Sequence, residues 1–133
     1  MKLFVLGLVA LVVLGGCVSV PMKLTDLQGR VDFPQPLTRA GYLNLELYTQ
    51  VDGQSRLIGQ QRYQVSMLPL YYDFSVDSTM LASGTALIKA ELSWQDGGAA
   101  QAQSSKLVRP GHPGKLMLKP RACYPHCRLG IAQ

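Results

Sequence analysis

The chain has 133 residues, with 13 Lys and Arg against 8 Asp and Glu and a formal net charge of +5. A chain of this length holds one small domain with a modest core and excludes two of comfortable size. The positive balance directs attention to acidic partners, which include nucleic acid, anionic lipid headgroups and acidic protein segments.

The first sixteen residues have the pattern of a cleaved export signal. Lys2 supplies a positive start and Leu3 to Leu14 an apolar stretch, and Leu14-Gly15-Gly16-Cys17 then places two small residues before a cysteine. About a dozen apolar residues are too few to cross a hydrocarbon core, which needs roughly twenty. Leu-Gly-Gly-Cys resembles the lipobox of bacterial lipoproteins, so Cys17 is expected to be lipidated and to become the mature N-terminus. Export behind a lipid anchor excludes nucleic acid as a partner. Cleavage removes only Lys2 among the charged residues, leaving 12 basic against 8 acidic and a net charge of +4. The charge is uneven, because residues 97 to 133 hold six basic residues and no acid.

Residues 17 to 23 lack periodicity and contain Pro21, as a tether would. Leu27, Gly29, Val31 and Phe33 then alternate with polar residues as a first strand, which the Pro34-Gln35-Pro36 run ends. Leu43, Leu45, Leu47, Thr49 and Val51 form one face of a second strand, with Tyr42, Asn44, Glu46 and Tyr48 on the other, and Asp52-Gly53 is a hairpin turn. Arg56 to Ser66 continues as a third strand whose polar positions and Gly59 mark an edge or a bulge. Leu70 to Val76 is a fourth, with Tyr71 facing away from Tyr72 and Phe74, and Thr79 to Ser83 is expected to make a short helical turn. Ala86 to Trp94 alternates strongly and ends at Asp96-Gly97-Gly98, another hairpin signal. Ala99 to Val108 is small and polar, as an exposed strand would be, and Leu116 with Leu118 form a last short one.

These elements predict an all-β fold, a small antiparallel β-sandwich of about seven strands following a cleaved lipoprotein signal peptide. The expected organisation is a signal peptide over 1–16, a lipidated tether over 17–23, the sandwich over 24–119, and a C-terminal tail over 120–133.

That tail carries the two cysteines left once Cys17 is lipidated. Cys123 and Cys127 are an even pair in an exported chain, which reads as a disulfide closing a small local ring. A metal site using Cys123, Cys127, His126 and His112 would need thiolates kept reduced in an oxidising compartment. No serine lies in Gly-x-Ser-x-Gly, no glycine-rich loop is built to cradle phosphate, and Asp26, Asp32, Asp73 and Asp77 fall on outward or turn positions. The residues thus point to no enzyme, no cofactor, no metal and no small-molecule substrate. What remains is binding surface, for which Tyr42, Tyr48, Tyr63 and Tyr71 are the candidate partner-binding residues, since a tyrosine brings apolar area, a hydroxyl and few rotatable bonds.

Gly29 and Val31 in the first strand, Leu43, Leu45 and Leu47 in the second, Leu68, Pro69, Leu70 and Phe74 around the fourth, and Ala90 with Leu92 resemble the YscW-type lipoprotein family over about residues 27 to 119. The Gly59 to Tyr63 run and the short chain look more like its type III secretion pilotins, YscW and ExsB, than like the longer YbaY lipoproteins. The resemblance implies an outer-membrane lipoprotein that binds the C-terminal segment of a secretin and promotes its targeting and oligomerisation. Val18, where an inner-membrane lipoprotein typically carries Asp, agrees with outer-membrane sorting. A general envelope lipoprotein, or a lipoprotein that inhibits a hydrolase, would share the same anchor and an all-β fold.

Overall fold

The computed structural model describes Gly16 and residues 23–130, with only the backbone of Ala82, so the signal segment before Gly16, Cys17 and the tether before Lys23 lie outside the described residues. Eight strands are described: β1 (Leu24–Asp32), β2 (Gly41–Val51), β3 (Gln54–Val65), β4 (Leu70–Asp77), β5 (Ala86–Ser93), β6 (Ala100–Val108), β7 (Gly114–Met117) and β8 (Lys119–Pro120). Two short 3-10 turns, Ser78–Met80 and Ala82–Gly84, join β4 to β5 where one helical turn is expected from the sequence.

The strands form a three-stranded sheet in the order β4-β1-β7 and a five-stranded sheet in the order β3-β2-β5-β6-β8. Two features depart from an antiparallel sandwich of seven strands. An eighth strand, β8, extends the larger sheet at the start of the expected tail, and β7 pairs with β1 in parallel, Gly29 opposite Gly114. Side-chain alternation reports which face a residue takes and carries no information on strand direction. The direction follows from the connection: β6 finishes near the end of the sandwich where β1 begins, and the short loop through Pro113 starts the next strand from that same end.

Alternation builds the core. Leu43, Leu45 and Leu47 of β2 are fully buried, paired in register with Leu92, Ala90 and Ile88 of β5. They face Leu27, Val31, Tyr72, Phe74, Leu116 and Leu118 from the other side of the sandwich. Each full burial of a Leu or Ile contributes about 1.5–3 kcal/mol. The β2/β3 hairpin turns on Asp52 and Gly53, both at positive φ (52° and 77°), as a two-residue primed turn requires.

Gly59 marks both features expected of the third strand. The β2/β3 register shifts opposite Leu47 and Tyr48, which makes a bulge, and β3 is the edge of its sheet. A side chain at Gly59 would meet the Phe74 ring at 3.1 Å, so the glycine lets the two sheets close. Gly29 and Gly114 play a related part, because the buried Tyr72 hydroxyl donates to the Gly114 carbonyl oxygen at 2.8 Å and a Cβ on either glycine would lie 2.4 Å from that hydroxyl. Burial pushes the Tyr72 phenol up to about 12.

Candidate functional site

The structure separates the four candidate tyrosines. Tyr42 and Tyr48 lie half-buried on the outer face of the five-stranded sheet. Tyr71 stands 71% exposed on the outer face of the other sheet, beside Arg30 of β1. Tyr63 points the opposite way from Tyr42 and Tyr48: it pairs with Leu43, packs against the core and donates to Gln61, whose amide reaches the Asp73 carbonyl oxygen at 2.8 Å. Tyr63 therefore closes the seam between β3 and β4, and the four rings do not make one surface.

On the outer face of β2, Asn44 donates to Glu46 at 2.9 Å and Gln60 of β3 donates to Asn44 at 3.1 Å. Tyr48 also donates to Glu46, which with partial burial and the nearby carboxylates of Glu46 and Glu91 raises its pKa above the ordinary tyrosine value. Lys89 sits 4.8 Å above the Tyr48 ring, a cation–π contact. The register continues this row sideways, with Leu57 and Leu87 flanking Tyr48 and Leu107 next to Leu87. Leu57 and Leu107 are 48% and 66% exposed, so an apolar ribbon crosses four strands in full view of solvent.

The tail builds a second site that the residue pattern gave no reason to place. Cys123 and Cys127 form a disulfide with Cα atoms 4.9 Å apart, and the ring it closes is docked on the end of the sandwich. Tyr124 stacks its edge on Phe33 at 5.3 Å and lies 5.9 Å from Trp94, while the Trp94 indole donates to the Pro125 carbonyl oxygen at 2.9 Å. Gln101 holds Cys127 by both amide atoms: its Nε2 donates to the Cys127 carbonyl oxygen at 2.9 Å, and its Oε1 accepts the Cys127 N–H at 3.0 Å. Gln101 is 2% exposed, whereas the residue pattern predicts an exposed strand here. A register shift between Leu92 and Ser93 inserts Gln101 as an extra residue and turns it inward, which alternation cannot foresee. The signal that could have marked it is a strand bounded by Gly-Gly and running through small residues, a composition that accommodates a bulge.

Around this docked tail, Arg39 lies over the Trp94 ring at 5.4 Å, and Arg39, Trp94, Gln101, Cys127, Arg128 and Leu129 line a cleft of about 320 Å³. Three residues of the basic C-terminal third, Lys119, Arg121 and Arg128, fall at this end, and Arg121 donates to the Ala100 carbonyl oxygen at 3.0 Å. Elsewhere Arg30 and Lys115 share Asp32 at 3.0 and 3.9 Å, and Arg62 pairs with Asp96 at 2.6 Å. Among the described residues no three His, Cys, Asp or Glu side chains come together as a metal would need, and no helix is long and apolar enough to cross a membrane.

No protein-family model matches the chain. Two curated proteins, each named type 3 secretion system pilotin, do match. The one from Pseudomonas aeruginosa is 35% identical over 117 residues, spanning 86% of this chain and 85% of its own, and the one from Yersinia enterocolitica is 24% identical over 93% of this chain and 94% of its own. Among solved structures, an alternative pilotin from the type II secretion system of Vibrio cholerae superposes with a TM-score of 0.52 at 14% identity, covering 74% of this chain and all of that one. At that identity the likeness concerns the fold alone.

Proposed function

The chain belongs to the type 3 secretion system pilotins, and from that membership we propose that it is an outer-membrane lipoprotein that binds the C-terminal segment of a secretin and promotes its targeting and oligomerisation. The observation that carries the reading is the 35% identity to a pilotin over 86% of the chain. The fold supplies what such a role needs. β3 is a twelve-residue edge strand whose outer side offers unpaired backbone groups to an extended segment. The role is one of binding, without cofactor, metal or catalytic step. Cys17 carries the lipid, and the multiple chains of a bacterial lipoprotein make the anchor stable where one chain would hold only marginally. The Cys123–Cys127 disulfide forms after export, leaving the protein about two mass units lighter than its reduced form, as expected in an oxidising compartment.

The test is titration of the isolated secretin C-terminal segment into the protein, followed by backbone amide shifts, together with secretin multimers assayed in a deletion strain. Binding at micromolar concentration and loss of multimers in the deletion strain are expected. No binding, with multimers unimpaired, overturns the proposal. For the anchor, Cys17→Ser is expected to abolish fractionation with the outer membrane, and retention there after a salt wash overturns lipidation as the attachment.

A further inference from the structure

Of the nine large hydrophobic side chains that the described residues expose, five fall on one end of the sandwich and its adjoining shoulder: Leu24, Val51, Leu57, Met80 and Leu107, at 63, 43, 48, 51 and 66% exposure. The pairings put them together. β1 starts at Leu24 opposite Asp77, where the Ser78 N–H reaches the Lys23 carbonyl oxygen at 2.9 Å. From Asp77 the two 3-10 turns, carrying Met80, lead to Ala86, which pairs with Val108 beside Leu107. Leu87 of β5 pairs with Tyr48 of β2 near this end, so the Asp52-Gly53 turn that follows after three further residues, with Val51 and Leu57 on either side of it, completes the same end. Asp26 and Gln28 of β1 line one cavity with Gly111, His112 and Pro113 of the loop after β6, which ties the two sheets' contributions into one surface.

This is also the end at which the chain enters the fold. The six steps from Cys17 to Lys23 reach at most about 20 Å when fully extended. A lipid on Cys17 therefore holds this end, and not the disulfide end, within a short distance of the bilayer. Exposed Lys23, Arg56, Lys106 and Arg109 stand at the same end as Asp26, Asp52 and Asp77; Asp77 accepts the Thr79 N–H and Lys106 donates to the Lys115 carbonyl oxygen at 3.4 Å, which leaves Lys23, Arg56 and Arg109 against Asp26 and Asp52. Cations that border apolar side chains suit a headgroup region better than they suit a buried protein interface.

We infer that this end of the sandwich is itself a membrane-contact surface, with Leu24, Val51, Leu57, Met80 and Leu107 seated at the headgroup boundary of the leaflet that carries the lipid anchor. The inference rests on lipidation of Cys17. It gives the anchored protein a fixed orientation: the entry end faces the lipid, and the cleft beside Trp94 and Arg128 faces away from it. A lipid anchor by itself fixes no orientation of the domain, whereas a second, weak apolar contact does.

The single tryptophan of the chain, Trp94, lies at the far end and serves as an internal control. The lipidated protein is reconstituted into phosphatidylethanolamine and phosphatidylglycerol vesicles containing phospholipids brominated high on their acyl chains. Attachment is read by flotation and depth by tryptophan quenching. The native protein is expected to float with its Trp94 emission unquenched. Leu107→Trp and, independently, Leu57→Trp are expected to float and to lose roughly half of their emission, one of two indoles then lying at the headgroup boundary. Flotation without quenching in either variant overturns the contact surface and leaves the anchor standing. Failure to float overturns the anchor, and the surface with it. Quenching of Trp94 in the native protein overturns the orientation. A concentration-dependent blue shift of the added tryptophans without lipid quenching assigns the surface to a second copy of the chain and overturns the inference.

Discussion

The two ends of this sandwich are built on different terms. At the disulfide end the chain returns upon itself: Tyr124 fills the gap between Phe33 and Trp94, Gln101 holds the backbone of Cys127 at two points, and Trp94 reaches the Pro125 carbonyl oxygen. At the entry end the described residues supply no such cap, and among them large apolar side chains stand in solvent. The free energy of the first end is intramolecular and should appear in stability. That of the second is available only when something outside the chain covers it. A fold that spends its internal contacts on one end leaves the other open.

Substitutions can break this asymmetry. The largest effect is expected from Trp94→Ala, which removes the ring packed on Tyr124, the perch of Arg39 and the hydrogen bond to Pro125. It should cost about 3 kcal/mol, toward the lower end of the range for aromatic truncation because Trp94 is only half-buried. Urea unfolding monitored by circular dichroism measures it, and a loss below 1 kcal/mol would mean the cap contributes little. Gln101→Leu keeps the volume but leaves the Cys127 N–H and carbonyl without partners, for a loss of about 2 kcal/mol. Faster hydrogen exchange at the Cys127 amide should accompany it, and an unchanged exchange rate would contradict the assignment.

Tyr124→Phe sharpens the same contrast in the opposite direction. The Tyr124 hydroxyl is buried with no hydrogen-bond partner among the described residues, so its removal should raise stability by about 1 kcal/mol while leaving the ring contacts in place. A destabilised Phe variant would show that the hydroxyl is satisfied in solution. Between the ends, Tyr72 gives the shared core an alkaline limit. Its folded pKa, about 12, lies above the value of 10.0 for an unperturbed tyrosine, so the folded state binds the proton more tightly. The stabilisation it brings is complete below pH 10 and is lost as the pH rises through about 12; stability should fall across that window, and Tyr72→Phe should flatten the fall. The smallest effect belongs to the entry end, where Leu57→Ser with Leu107→Ser should change stability by no more than about 0.5 kcal/mol, since both side chains are exposed. A larger loss in the protein free of lipid would mean these residues pack within the chain and the two ends are not different in kind.

The residue pattern alone determined the strands with one buried face. Leu43, Leu45 and Leu47, or Ile88, Ala90 and Leu92, can bury their apolar members on one side only if the backbone is extended, and Asp52-Gly53 suits the positive φ of a two-residue turn. The edge character of β3 and its bulge at Gly59 were legible for the same local reasons. The parallel β1/β7 pair was not legible, because strand direction depends on where the preceding strand ends in space. Nor was the placement of Tyr63: its neighbours in sequence are polar, and only pairing with Leu43 across the sheet turns it toward the core. Gln101 reads as a solvent-facing polar residue until the bulge it forms in its own strand, opposite Leu92 and Ser93, turns it inward, and Tyr124 reads as part of a loose tail until Phe33 and Trp94, 91 and 30 positions earlier, are brought beneath it. Alternation is a property of neighbours along the chain, so it determines faces and turns. Which faces meet, which end is capped and which is left bare are decided by contacts between residues far apart in sequence, and these exist only once the two sheets have closed on each other.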